Sequence, residues 1–249
     1  MISNYYLLPE FTPTRLQDLV LWFEPASLRG NTWYNLAPCY NRNHGTIFGG
    51  VGLSTWHPQF SPAPTFDGFD GYVKVPDSDN LVTTAITIEA WMNSNLLGEF
   101  RGIVFKGQAW MFREGAANGT VQAHVYVDDG WRGITSIGTY TPHVWSYAVM
   151  TYDSNTRELA VYVNNVSRSR TLSGLNSYTI NPSGANIFIG TDTAYGDIYF
   201  NGSIPLVRIY KVALTPTEIY HNHTHHPLYY IERGIDPYDF IKRKKFYFL

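Results

Sequence analysis

Between Tyr72 and Tyr210 the chain repeats one pattern, a short run of β-branched and aromatic residues followed by a turn. The runs are "YVKVP" (72–76), "ITIEAWM" (86–92), "GIVFK" (102–106), "VQAHVYV" (121–127), "WSYAVMTY" (145–152), "ELAVYV" (158–163), "NIFIG" (186–190) and "LVRIY" (206–210). Several alternate with period two, which places every second side chain on one face and marks a strand with that face buried. "FDGFDG" (66–71), "PDSDN" (76–80), "VDDGW" (127–131), "YDSNT" (152–156), "VNN" (163–165) and "NPSGAN" (181–186) separate them as turns. Many short strands with regular turns and almost no helical periodicity specify an all-β, antiparallel sandwich or barrel. At 249 residues the chain can bury a full core as one domain, and it contains no internal repeat. One stretch has helical potential, "ALTPTEIYHNH" (213–223), with Thr215 as N-cap, Pro216 at the first helical position and Glu218 at the third.

Composition then excludes several functions. Charged residues are only 15% of the chain and the net charge is −2, so no global field recruits nucleic acid or a membrane surface. No apolar window of about 18 residues exists, so no helical membrane span is expected. Cys39 stands alone, which rules out an internal disulfide and a cysteine-based zinc site; it is expected to be a buried, inert thiol. The opening "MISNYYLLPEFTPTRL" has no basic n-region and too short an apolar run for a cleavable secretory signal. Sequons at Asn118, Asn165, Asn201 and Asn222 suit an exterior protein.

Specific residues carry a family resemblance. "FDGFDGYVKVPDSDNL" (66–81) resembles the FDG-x-x-D/G-Y-V-x-V-P stretch of laminin G-like, concanavalin A-like jelly-roll domains. "TIEAW" (87–91), "IVFKG" (103–107), "VWSYAVMTYD" (144–153), "LAVYVNNV" (159–166), "IFIGTD" (187–192) and "FNGSIPLVRIYKVALTPTEI" (200–219) follow in the family's order. "LVLWFEP" (19–25) and "NHGTI" (43–47) look like its opening segments. The resemblance implies a two-sheet jelly-roll sandwich over residues 18–222, flanked by an N-terminal arm (1–17) and a C-terminal arm (223–249). Tyr72, Val73, Val75, Trp91, Trp145, Phe188, Ile189, Val207 and Ile209 are read as packing.

Family members often carry an Asp where this chain has Pro205, and that Asp often helps the FDG turn hold a structural calcium. Calcium takes roughly six to eight oxygen ligands. Asp67 and Asp70 remain as calcium candidates, but proline offers only a carbonyl, so no cofactor is expected and Asp67 is read as a turn cap. Proline inside a strand is confined to edges, starts and bulges. Glucanases on this fold use an E-x-D-x-x-E run; here Glu89 is followed by Trp91 and Met92, and the second carboxylate is missing. The chain is therefore read as non-catalytic.

Sugars stack their C–H faces on aromatic rings and pair their hydroxyls with Asn, Asp and backbone groups. Trp110, Trp131, Asp192, Tyr195, Asp197, Tyr199 and Asn201, all near turns, are the candidate glycan-binding residues. The C-terminal segment from Tyr220 holds His221, His223, His225 and His226 at its start, read as a solvated linker rather than a metal site. It continues with Tyr229, Tyr230, Phe240, Lys242, Arg243, Lys244, Lys245 and Phe246, more apolar surface than a monomer exposes. That arm is expected to pack on a neighbouring subunit. The expected protein is a recognition or structural subunit on an exterior surface, such as a virus particle, that binds a glycan or cell-surface ligand and forms a homo-oligomer or larger assembly. A free lectin module is the alternative.

Overall fold

The structure is a computed structural model and describes residues 12–39, 43–54, 63–78, 81, 83–116, 118–193, 196 and 198–234. Two antiparallel sheets pack face to face. The first runs in the order β15 (Val166–Thr171), β14 (Glu158–Val163), β13 (Ser146–Asp153), β8 (Ala85–Ser94), β19 (Asn201–Tyr210), β6 (Ala63–Asp67), β5 (Val51–Ser54), and β1 (Leu19–Phe23) also pairs with β19. The second runs β12 (Gly130–Thr135), β11 (Val121–Val127), β10 (Trp110–Glu114), β9 (Gly102–Lys106), β16 (Ile187–Ile189), β7 (Tyr72–Val75), β4 (Gly45–Phe48), β3 (Thr32–Trp33), β2 (Leu28–Arg29). A small hairpin, β17 (Thr191–Asp192) and β18 (Ile198–Tyr199), and two helices, α1 (Pro216–Thr224) and α2 (Pro227–Glu232), complete the described elements.

The alternation in the sequence fixes the core. In β8, Ile86, Ile88, Ala90 and Met92 point between the sheets, where they meet Val104, Trp110, Phe112, Val121, Ala123 and Val125 of the second sheet. The other face of β8 carries Thr87, Glu89 and Trp91, and these are equally buried. The reason is a third layer: Ile219 of α1 and Leu228 of α2 join a second cluster with Trp91, Tyr147, Val149, Leu206 and Tyr210 on that outer face. A strand covered on both faces tends toward a continuous apolar run; in "ITIEAWM" the second face keeps Thr87 and Glu89, each of them hydrogen-bonded, to Val212 O and Asn222 Nδ2.

Pro205 sits in β19 where the ladder changes partner. Residues Asn201–Ser203 pair with β6, Val207–Tyr210 pair with β1, and the register against β8 slips between Ser203 and Leu206. The proline occupies this bulge, where its missing N–H interrupts no regular pair.

Helix α1 starts as its sequence specifies. Thr215 caps the N–H of Glu218, the Glu218 carboxylate accepts from the N–H of Thr215, and Pro216 opens the helix. The helix runs through Asn222, so the expected boundary between sandwich and arm falls inside it. Residues 223–234 also lie on their own sandwich rather than leaving it: His223 stacks on Tyr147 with centroids 4.8 Å apart, and Tyr229 meets His223 edge-on at 5.0 Å. His223 and His226 are buried, not solvated. Phe240, Lys242, Arg243, Lys244, Lys245 and Phe246 lie outside the described residues. Cys39, expected inside, is exposed in a turn after Pro38.

A polar network pins the third layer. Asn222 donates through Nδ2 to Glu89 Oε1 at 2.8 Å and to the Tyr210 hydroxyl at 3.1 Å, and its Oδ1 accepts the N–H of Thr14 at 2.9 Å. Arg208 lies 3.6 Å from Glu89 and 3.0 Å from Glu24. Buried charges persist only when paired and hydrogen-bonded in this way. Asn222 is consequently closed to glycosylation, whereas Asn118 is exposed.

Candidate functional site

The outer face of the second sheet is the face with accessible rings. Antiparallel register places Lys74, Phe188, Phe105, Met111, His124 and Gly133 in one cross-strand row, flanked by the pairs Phe48–Tyr72 and Tyr126–Trp131. Phe105 and Met111 are buried at mid-row and divide the face in two. On one side Phe48 stacks on Tyr72 at 5.2 Å, with Phe188 and Tyr199 at 5.9 and 6.5 Å from Tyr72. On the other, Trp131 is ringed by Tyr126 at 5.3 Å, His124 at 6.5 Å and Phe105 at 6.5 Å.

The Trp131 side opens into a groove of ≈ 470 Å³ along the edge strand β12, lined by His124, Trp131, Gly133, Thr135, Arg168 and Arg170 among others. Gly133 is needed there because a Cβ would sit 2.0 Å from His124 Cδ2. His124 Nδ1 is buried and has no hydrogen-bond partner among the described residues. Burial, and then the positive charge of Arg113, hold the imidazole down at about 4, so the ring is neutral at physiological pH. Arg168 and Arg170 reach across from β15 to the carbonyls of Thr135 and Gly133 at 3.2 and 3.0 Å.

The sequence candidates fall in different places. Trp131 lines the groove. Trp110 is 0% exposed in the inter-sheet core and is removed from the ligand-binding set: strand alternation turns its ring inward. Asp192 is fully buried and paired with Arg113 at 3.1 Å. Tyr199 stands beside Tyr72, about five strand spacings or roughly 24 Å from β12, so it does not share a site with Trp131. Asn201 is a brace, donating to the Asp67 carbonyl at 3.1 Å and accepting from Asn95 at 2.7 Å. Tyr195 and Asp197 lie outside the described residues. Tyr72 and Phe188, read as packing, are half-buried on the outer face instead.

Sequence reasoning missed His124, Tyr126, Arg168 and Arg170. The alternation in "VQAHVYV" and "VSRSRT" puts each pair on one strand face, which was the available signal.

At the FDG turn, Asp67 Oδ1 accepts the N–H groups of Phe69, Asp70 and Gly71 at 2.9–3.1 Å, and Asp70 Oδ1 accepts that of Gly50 at 2.6 Å. The backbone hydrogen bonds hold the Asp67 carboxyl below its ordinary value against the opposing effect of desolvation. These bonds engage Oδ1 of each carboxylate as a turn brace. Among the described residues no group of three or more His, Cys, Asp or Glu is placed to hold a metal ion. Glu89, the nearest match to a glucanase carboxylate, is sealed beneath α1.

Comparison with known proteins agrees with this architecture. A family model described as the concanavalin A-like lectin/glucanases superfamily matches residues 66–220. The chain belongs to that superfamily. The binding domain of botulinum neurotoxin serotype D/C superposes with a TM-score of 0.63 at 16% identity, over 86% of this chain and 53% of that one. The type C neurotoxin, whose cell entry is dependent upon interaction with two ganglioside molecules, gives 0.62 at 17%, over 86% and 52%. Domain 4 of AbnA, an extracellular GH43 arabinanase from Geobacillus stearothermophilus, in complex with arabinotriose, gives 0.60 at 18%, over 81% and 96%. This chain thus spans about half the length of the neurotoxin chains and nearly all of the arabinanase domain. No curated protein sequence matches.

Proposed function

We propose that the protein is a non-catalytic glycan-recognition domain working on an exterior surface, with the β12 groove as its binding site. The observation that carries the reading is the combination in one groove of a partly exposed indole, Trp131, with fixed N–H donors from Arg168 and Arg170. A pyranose ring can lay its C–H face on the indole while its hydroxyls meet the donors. The groove lining contains no Asp or Glu, whereas glycoside hydrolysis needs two carboxylates roughly 5–9.5 Å apart. Calcium has no part in this reading. Trp131→Ala should lower binding on a glycan array at least about tenfold with the fold intact by circular dichroism. A wild-type protein that binds no glycan, or that hydrolyses one, overturns the proposal.

One observation favours a second reading, in which the domain is also a subunit of an assembly such as a virus particle. Of the ten exposed large apolar side chains among the described residues, seven lie toward the end of the sandwich where β6 and β8 end and β13 and β19 begin: Phe48, Phe69, Leu96, Leu97, Ile137, Val144 and Val166. Phe69 is 80% exposed at the tip of the FDG turn. Apolar side chains exposed together at one end suit a contact surface.

A further inference from the structure

The open edge of β12 carries more than a generic sugar site requires. Register with β11 leaves the carbonyls of Trp131, Gly133 and Thr135 pointing away from the sheet. Each holds a guanidinium: Arg132 on Trp131 at 3.1 Å, Arg170 on Gly133 at 3.0 Å and Arg168 on Thr135 at 3.2 Å. Arg168 and Arg170 are two residues apart on β15, and their acceptors are two residues apart on β12. The two guanidiniums therefore stand side by side, roughly 6.6 Å apart along the strand, spanning the gap between the sheets.

Their charge is not neutralised. Arg15, Arg101, Arg113, Arg208 and Arg233 all have a carboxylate partner. Among the described residues Arg132, Arg168 and Arg170 have none within ion-pair distance, although the protein as a whole carries a net charge of −2. Each guanidinium presents several N–H donors and gives one to a carbonyl, which fixes its position and leaves the others for a ligand. His124, the remaining polar ring in the groove, adds no charge of either sign.

Resting on the glycan reading, we infer that the β12 groove selects an acidic sugar, its ring on Trp131 and its anion held between Arg168 and Arg170. The anion can be a ring carboxylate, as in sialic or uronic acids, or a sulfate ester; both match a guanidinium fork. An edge-protecting role alone would also place cations on β12, but such a role is indifferent to the ligand's charge.

The test uses the full chain and titration calorimetry at about 150 mM salt, with four probes: lactose, sialyllactose, glucuronyl-lactose and sulfated lactose. At least one acidic probe should bind about tenfold tighter than lactose, and which one separates carboxylate from sulfate. R168Q/R170Q removes the charge; whatever it does to lactose binding, it should abolish the preference, leaving the acidic probes no tighter than lactose, with the melting temperature near wild type. Equal binding of all four probes, or a preference that survives R168Q/R170Q, overturns the inference and leaves the glycan reading standing. Inorganic polyphosphate displacing the acidic sugar at equal concentration overturns it as well, since the groove would then be a general polyanion site. Failure of all four probes removes the glycan reading itself.

Discussion

Replacing His223 with Phe isolates one of the two buried imidazoles, with His226, that make the third layer sensitive to acid. The imidazole is stacked on Tyr147, flanked by Trp91 at 5.1 Å and Tyr229 at 5.0 Å, and linked to Asn165 through Nδ1 at 2.7 Å; Nε2 is buried with no partner among the described residues. Burial, and then the charge of Arg233, push its value down from 6.5 to about 3. The unfolded chain therefore takes up the proton first as pH falls. Stability is untouched above about pH 6.5 and declines until about pH 3. Between about pH 7.5 and pH 5 the loss from this group is about 2 kcal/mol. Glu114 works in the opposite direction over the same range: burial pushes it up to about 7, so it stabilises the fold as pH falls from about 7 toward 4.5. A flat wild-type profile could thus hide both. His223→Phe keeps the ring stack, loses the Asn165 bond, worth about 1 kcal/mol, and cannot titrate. Urea denaturation followed by tryptophan fluorescence should show the variant gaining about 2 kcal/mol relative to wild type on moving from pH 7.5 to pH 5. If the two proteins change by the same amount, His223 is not a buried neutral group, and the packing of α1 on β13 is wrong.

Adding a chelator should leave the melting temperature unchanged, because Asp67 and Asp70 are bonded to backbone N–H groups and Pro205 supplies no carboxylate; a fall of several degrees would show a bound metal. Ending the chain after Asn222 removes His223, His226 and Leu228 from the faces of Trp91 and Tyr147 and should give insoluble or partly unfolded protein, whereas ending it after Gly234 should preserve the β-type circular dichroism. Light scattering on the second truncation and the full chain tests the assembly reading: it requires an oligomeric full chain, and a monomer dismisses it.

Local sequence determined the strands, the turns and the start of α1. Period-two alternation in "VQAHVYV" and the Thr215–Pro216–Glu218 signal act through neighbours a few residues away, so they can be read without knowing the fold. Alternation also says that each strand has two faces. It cannot say what covers the second one. Trp91 and Trp131 both sit on outward positions; Trp91 is sealed because α1 arrives from more than 120 residues away, with Asn222 bonded to Glu89 across 133 positions. Among the described residues no helix covers Trp131. The same distance problem hides the groove. Arg168 and Arg170 look like an ordinary exposed strand face until the two sheets come together and lay β15 beside β12, 33 and 37 residues removed. Trp110 shows the converse: a ring beside a turn becomes core once the register of β10 against β9 and β11 turns it inward. The sequence set the residue types and their local faces, and the packing of distant segments decided which of those faces stayed open to a ligand, because burial depends on every layer of the fold and alternation on one strand.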